Sequence, residues 1–178
     1  TIEDMKALQF DDYYLHAKEA LPVMIALLGT EFDNDPDAKN YLDELNGWDF
    51  FVDPNQKAPT LFYIWWETTY DKLCRKWTDF DVLVVRPNNY QKVLLMANSP
   101  QDLVFDLDST STQEMAGDHV KQGFKEFLSS IQEWESSEGD YSWANYKKTS
   151  IQHLVPQFAS FSVKNIYTGG GRGMINAT

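Results

Sequence analysis

Apolar side chains recur at three- and four-residue spacing along most of the first 140 residues, which is the period of an amphipathic helix. Residues 2–28, 60–77 and 112–136 carry the longest such patterns, so the chain is predicted to be mainly α-helical. The stripe in residues 60–77 is largely aromatic and is predicted to lie in the core, with an exposed aromatic groove for sugars as the alternative. Its members are Leu61, Phe62, Trp65, Trp66, Tyr70, Leu73 and Trp77.

Capping and breaking residues suggest where the long helices begin and end. Thr1 can cap the first helix, Pro22 is expected to kink or divide it, and Gly29 is expected to end it. Ser111 and Glu114 have the spacing of a capping box, which predicts the start of the helix that runs to about residue 136.

Residues 33–44 resemble a calcium-binding loop, with Asp33 and Glu44 at its first and last ligand positions. The position that requires glycine is Ala38, however, and Pro36 lies inside the loop. We therefore predict a helix start, with Asp35 as the N-cap and Pro36 at the first helical position.

Shorter apolar segments follow the aromatic stripe. Residues 82–85 are four consecutive aliphatic residues, three of them valine, which predicts a strand or a buried extended segment. Residues 90–97 have the pattern of a short helix. No internal repeat or long linker separates these segments, so the 178 residues are predicted to form one unit.

The net charge of −12 disfavours binding to nucleic acid or to anionic membranes, since both require basic patches. Cys74 is the single cysteine, so no disulfide can form within the chain, and its apolar surroundings predict a buried, inert thiol. No apolar stretch is long enough to span a membrane.

Candidate catalytic residues are few. His16 and His119 fall on helices rich in carboxylates and are predicted to face solvent, whereas His153 is predicted to hold the C-terminal loop through a side-chain hydrogen bond to backbone. The sequence contains no Gly-x-Ser-x-Gly elbow and no cluster of histidine and cysteine with metal-ligand spacing.

Four of the nine glycines lie in residues 169–173, which predicts a tight loop. Neither a dinucleotide fingerprint nor a P-loop fits their spacing, so phosphate binding is not expected. Residues 174–178 have the pattern of the start of a buried strand. We therefore expect the chain to be a fragment of a longer protein, with a helical part over residues 1–140 and a loop and returning strand over residues 141–178.

The ordered motifs of the C-terminal part resemble those found late in the β subunit of the penicillin acylase (penicillin amidase) family of N-terminal-nucleophile hydrolases. Residues 1–12 also resemble a family segment that leads into a helix ending in Leu-Pro. The matching C-terminal residues are Trp143, His153-Leu154, Pro156 with Phe158, Gly169-Gly170-Gly171 and Asn176-Ala177.

This resemblance implies that the chain is the helical subdomain of an enzyme that is αββα when intact and that hydrolyses linear amides such as penicillins or acyl-homoserine lactones. The family's nucleophile is an N-terminal serine that lies upstream of the matched region, so this chain is expected to be inactive alone and Thr1 to be only a helix cap. No catalytic residue is carried over; the structural loop candidates are His153, Gly170, Gly171 and Asn176.

The resemblance further implies a periplasmic or secreted enzyme, calcium as a candidate cofactor of the intact protein, and the rest of the β subunit and the α subunit as partners. No partner nucleic acid or membrane is expected. The alternative from another functional class is a stand-alone helical module that binds a ligand on its aromatic surface.

Overall fold

The computed structural model describes residues 1–73, 87–106 and 111–176, and within these ranges the regular structure is helical, as predicted. Two isolated bridges, Tyr13 with Phe51 and Ile151 with Val163, are the only β pairings in these ranges. The predicted strand at residues 82–85, Cys74 and Trp77 lie outside the described residues. The helices are α1 (Ile2–Gln9), α2 (Leu15–Leu28), α3 (Pro36–Asn46), α4 (Ala58–Leu73), α5 (Asn89–Asn98), α6 (Ala116–Ser137) and α7 (Trp143–Lys147), with 3₁₀ helices at Leu103–Phe105 and Pro156–Phe161.

The core is built around α4, which packs against α6 along its length, while α2 packs against α5 and α6. The aromatic stripe of α4 faces inward: Phe62, Trp65 and Trp66 are each at most 2% exposed. The Trp65 ring lies edge-on to Phe124 of α6 at 4.8 Å between centroids. The prediction that the described part of this stripe is core is therefore confirmed, and the sugar-binding groove is not supported.

The closest approach of α4 and α6 depends on Gly123. A Cβ on this residue would lie 2.9 Å from the Cα of Thr69 and 2.3 Å from its hydroxyl oxygen. Beside this contact, the Thr68 hydroxyl donates to the Gly123 carbonyl at 2.9 Å. The absent side chain thus permits backbone-to-backbone packing between the two longest helices of the core.

The start of α3 is as predicted from local chemistry. The Asp35 carboxylate accepts hydrogen bonds from the backbone N–H groups of Asp37 and Ala38 at 3.0 and 3.1 Å, and Pro36 occupies the first helical position. Gly47 ends the helix. The carboxylate is thus engaged as a helix cap, as expected from the missing loop glycine.

The predicted helix over residues 2–28 is wrong in one respect, because the break falls at residues 10–14 and α2 continues through Pro22. The backbone of this break pairs with a distant segment: the Tyr14 N–H donates to the Phe50 carbonyl at 2.8 Å, and the Val52 N–H donates to the Asp12 carbonyl at 3.1 Å. Pro22 is exposed, so water can reach the carbonyl group that its missing N–H leaves unpaired.

The start of α6 also differs from the prediction. The helix begins at Ala116, and the Asp118 carboxylate accepts from the N–H of Met115 at 2.9 Å, so Ser111 is not the cap. The N–H of Glu114 donates instead to the Asp106 carboxylate at 3.0 Å. Met115, the residue that precedes the first turn, is 39% exposed.

Candidate functional site

The glycine loop, residues 169–176, lies between the break at residues 10–14 and the segment around Val52. The Gly170 N–H donates to the Val52 carbonyl at 3.1 Å, and the Asn176 N–H donates to the Asp11 carbonyl at 2.9 Å. Within the loop, the Gly171 N–H donates to the Asn176 carbonyl at 2.9 Å. Gly170, Gly171 and Asn176, three of the four loop candidates, are therefore brought together.

Only glycine fits at position 170, for two reasons. Its φ of +67° lies in the left-handed region, and a Cβ there would lie 2.2 Å from the Asn176 carbonyl oxygen. A Cβ on Gly171 would lie 3.0 Å from the Trp143 ring. The glycines thus let the loop close on itself and against the indole of α7.

Trp143, part of the family-like motif, anchors the loop to α7. Its ring is 5% exposed, and its Nε1–H donates to the Gly170 carbonyl at 2.7 Å. The Trp143 N–H donates to the Gln56 carbonyl at 2.8 Å, and the Ala144 N–H donates to the Pro54 carbonyl at 3.0 Å. One short helix therefore ties the loop to the segment that precedes α4.

Lys147, which the sequence analysis did not identify, binds the loop from the other end of α7. Its ammonium group donates to the carbonyl oxygens of Gly169 and Gly170 at 2.8 and 3.2 Å, and to the Thr168 hydroxyl at 3.3 Å. Partial burial lowers the pKa of Lys147. The sequence did contain a signal for this role. Lys147 is a basic residue four positions after Trp143, and residues four apart lie on the same face of a helix.

His153, the fourth loop candidate, lies apart from the glycine loop. Its Nδ1 accepts from the Val155 N–H at 3.1 Å, and its ring contacts Phe158 and Phe161 edge-on or tilted, at centroid distances of 5.4 and 6.2 Å. The residue is exposed. Its side-chain hydrogen bond to backbone thus stabilises its own turn.

The C-terminal backbone also differs from the expected strand start. Residues 174–176 form bends, the Met174 N–H donates to the Gly171 carbonyl at 3.2 Å, and the Asn176 N–H donates to the Asp11 carbonyl. The pairing of Asn176 with Asp11 is a long-range closure that strand periodicity does not reveal.

Beside the glycine loop, a cleft of about 250 Å³ separates the start of α2 from α4 and α5. Burial raises the pKa of the Glu67 carboxyl on one wall, and burial lowers the pKa of His16 to about 4. The lining residues are Tyr14, His16, Tyr63, Trp66, Glu67, Tyr70, Asn89, Arg172 and Gly173.

The prediction that His16 and His119 face solvent is wrong for both. The His16 ring packs edge-on against Trp66 with 4.3 Å between centroids, and neither His16 Nε2 nor Trp66 Nε1 has a hydrogen-bond partner among the described residues. His119 is 2% exposed, and its Nε2 lies 2.6 Å from the Phe105 carbonyl oxygen. Acidic neighbours along a helix do not determine the face to which a given histidine belongs.

The structure places Thr1 and the acidic and histidine side chains of the described residues as follows. The Thr1 hydroxyl donates to the Asp4 carboxylate at 2.7 Å and accepts from the Asp4 N–H, so it acts as the predicted N-cap. Over residues 1–73, 87–106 and 111–176, no three His, Cys, Asp or Glu side chains cluster as metal ligands. Among the described helices, none is both long and apolar enough to cross a membrane.

Comparison with known proteins identifies the family. No curated protein matches the chain. The family model described as penicillin amidase matches residues 1–178, which is the full length of the sequence. That match includes Trp143 and the glycine loop that it anchors. The chain therefore belongs to the penicillin amidase family, a family of hydrolytic acylases.

Proposed function

We propose that this chain is the helical part of an N-terminal-nucleophile hydrolase that cleaves a linear amide and releases an acyl group from an amine. The observation that carries the proposal is the family match over residues 1–178. The substrate class is that of a penicillin or an acyl-homoserine lactone. The nucleophile is the N-terminal serine of a β subunit, its α-amino group is the base, and both lie outside this chain.

The geometry at Thr1 supports this division of roles. Its hydroxyl donates to the Asp4 carboxylate at 2.7 Å and accepts from the Asp4 N–H at 3.2 Å. In an N-terminal nucleophile the hydroxyl proton must instead be accepted by the amine, with oxyanion donors nearby. Thr1 begins a helix and has the hydrogen bonds of a capping box, so its role is structural.

The proposal extends to the surroundings of the intact enzyme. It is periplasmic or secreted, and the chain's partners are the rest of the β subunit and the α subunit. Calcium is the cofactor that the family resemblance implies, but the described residues offer no cluster of carboxylates or histidines to hold it. None of them is therefore assigned to a metal.

The test uses the intact protein with a chromogenic phenylacetyl amide and a panel of acyl amides and acyl-homoserine lactones. We expect turnover of at least one substrate, lost when the β-subunit N-terminal serine is replaced by alanine. Thr1→Asn is the matched control, because asparagine keeps the N-cap and lacks the hydroxyl. Turnover that survives the serine variant and disappears in Thr1→Asn would contradict the proposal.

A further inference from the structure

The cleft beside the glycine loop has an aromatic floor. Tyr14 and Trp66 on this floor are 7% and 2% exposed, and the His16 ring contacts both, at centroid distances of 5.9 and 4.3 Å. The half-buried Tyr63 ring also lines the cleft. Its volume of about 250 Å³ is just below the range of pockets that hold drug-sized molecules, so it suits a small metabolite.

Two polar atoms at this floor lack hydrogen-bond partners. Trp66 Nε1 and His16 Nε2 are both buried, and neither bonds to another described residue. The indole N–H can only donate, so it requires an acceptor that the described residues do not provide. Buried polar atoms in native structures are nearly always paired, and an unpaired one that lines a cleft therefore points to a ligand.

One carboxylate and one guanidinium stand at the accessible edge of the cleft. Glu67 follows Trp66 on α4, Arg172 lies in the glycine loop, and both line the cleft with exposed side chains. Neither charged group makes a hydrogen bond or an ion pair with another described residue. Desolvation raises the pKa of Glu67, and Arg172 opposes this effect at longer range. The cleft therefore offers one unpaired charge of each sign.

The position of Arg172 depends on the closure of the glycine loop. The N–H of Gly171, which precedes it, donates to the Asn176 carbonyl at 2.9 Å. Gly173, which follows it, has a φ of +90° and packs on the Tyr14 ring, where an added Cβ would lie 3.7 Å from a ring carbon. The closed loop thus brings its guanidinium to a cleft whose carboxylate comes from α4.

We propose that this cleft binds a free α-amino acid with an apolar or aromatic side chain, whose carboxylate pairs with Arg172 and whose ammonium group pairs with Glu67. A simple anion would be repelled by Glu67 and a simple cation by Arg172, so the two charges together select a zwitterion. The apolar side chain of the ligand packs on the aromatic floor. This inference goes beyond the proposed function and does not depend on it.

Two charged residues outside the lining also act on the Glu67 carboxyl. Asp71 raises its pKa and Lys92 lowers it, so the two effects oppose each other. The Lys92 ammonium lies 3.1 Å from the centre of the Tyr70 ring, so that ring already has a cation on one face. The ammonium group of the ligand is therefore assigned to Glu67 and not to Tyr70.

Isothermal titration calorimetry of the intact protein tests the inference with L-phenylalanine and two analogues. 3-Phenylpropionate lacks the ammonium group, 2-phenylethylamine lacks the carboxylate, and the phenyl ring is common to all three. We expect L-phenylalanine to bind about tenfold more tightly than either analogue, because each analogue loses one charge-assisted hydrogen bond.

Two pairs of variants locate the binding. Arg172→Gln should weaken the binding of L-phenylalanine and 3-phenylpropionate about tenfold without weakening that of 2-phenylethylamine, because it removes the partner of the carboxylate. Glu67→Gln should weaken the binding of L-phenylalanine and 2-phenylethylamine and spare 3-phenylpropionate. Lys164→Gln and Asp71→Asn are the matched controls, since each removes a charge of the same sign from an exposed residue outside the lining. Neither control should change any affinity more than about twofold.

Hydrogen exchange on the same samples reports whether the ligand engages the glycine loop. Saturating L-phenylalanine should slow exchange of the Gly171 amide in the parent protein and leave it unchanged in Arg172→Gln.

Three results would overturn the inference. The first is that neither L-phenylalanine nor L-leucine binds the parent protein. The second is binding of L-phenylalanine that both cleft variants leave unchanged, because the ligand then occupies another site. The third is equal affinity for L-phenylalanine and either analogue, because one of the two charges then contributes nothing.

Discussion

His16 makes folding depend on pH. Its folded pKa is about 4 against an unfolded value of 6.5, because burial disfavours the charged ring. Between these values the unfolded state binds a proton that the folded state does not, so the free energy of unfolding falls as the pH drops from about 6.5 to 4. At about 1.4 kcal/mol for each pKa unit, this shift lowers the free energy of unfolding by roughly 3 kcal/mol.

His16→Phe isolates this contribution by urea denaturation at several pH values. The difference in unfolding free energy between parent and variant should be constant above pH 7 and should shift in favour of the variant as the pH falls below about 6.5. Glu67, which shares the cleft and whose pKa burial raises, is present in both proteins. Parallel pH curves for the two proteins would contradict the burial of a neutral imidazole.

Lys147 stabilises the glycine loop through the carbonyl groups of Gly169 and Gly170. Lys147→Met should lower the free energy of unfolding by about 1–3 kcal/mol, because partly buried acceptors lose a charged donor. Hydrogen exchange at the Gly170 and Gly171 amides should accelerate. Lys148→Met is the adjacent control: its exposed pair with Glu138 should contribute less than about 1 kcal/mol. Equal losses for both variants would contradict the role of Lys147.

At single residues, the sequence predicted roles that depend on close neighbours. Asp35 followed by Pro36 specifies a helix start within three residues, and Thr1 with Asp4 does the same. His119 was mispredicted because its partner, the Phe105 carbonyl, lies fourteen residues away across a 3₁₀ turn. Lys147 was missed because its acceptors are more than twenty residues distant along the chain.

At the scale of elements, α4 and α6 cross so closely that there is no room for a side chain at position 123. Gly123→Ala should lower the free energy of unfolding by about 1–3 kcal/mol, since the added methyl group meets the backbone of Thr69. The helix propensity of alanine offsets at most about 1 kcal/mol of this loss.

Gly117→Ala is the matched control on the same helix. A Cβ there would lie 3.4 Å from the Leu27 carbonyl oxygen, which is within ordinary contact distance. Its stability should therefore change little or increase slightly when measured by urea denaturation. A neutral Gly123→Ala would mean that the two helices cross less closely than the structure indicates.

Helices with a continuous apolar stripe were predicted well, since α4 and α6 bury one face and the 3.6-residue period reports that face. The division between α1 and α2 was placed wrongly at Pro22. Its cause is pairing of residues 12–14 with residues 50–52, which no local pattern contains. The glycine loop was recognised from composition, but its closure on Asp11 required the tertiary structure.

At the scale of the whole molecule, the described residues form a helical scaffold whose C-terminal loop closes on its N-terminal segment. That architecture leaves the apolar side chains of residues 151–163 exposed. The proposed function assigns scaffold and catalysis to separate parts of the intact protein. Family membership was predictable from ordered motifs, whereas the exposure of residues 151–163 was not, because exposure depends on what these residues contact.

The most direct test of this assignment is to map the residue of the intact protein that reacts with an active-site-directed sulfonyl fluoride, by mass spectrometry of its peptides. The account predicts a single adduct on the N-terminal serine of the β subunit, outside residues 1–178, with loss of acyl-amide hydrolysis in proportion to labelling. An adduct on Thr1, or on any other residue of this chain, that inactivates the enzyme would contradict it.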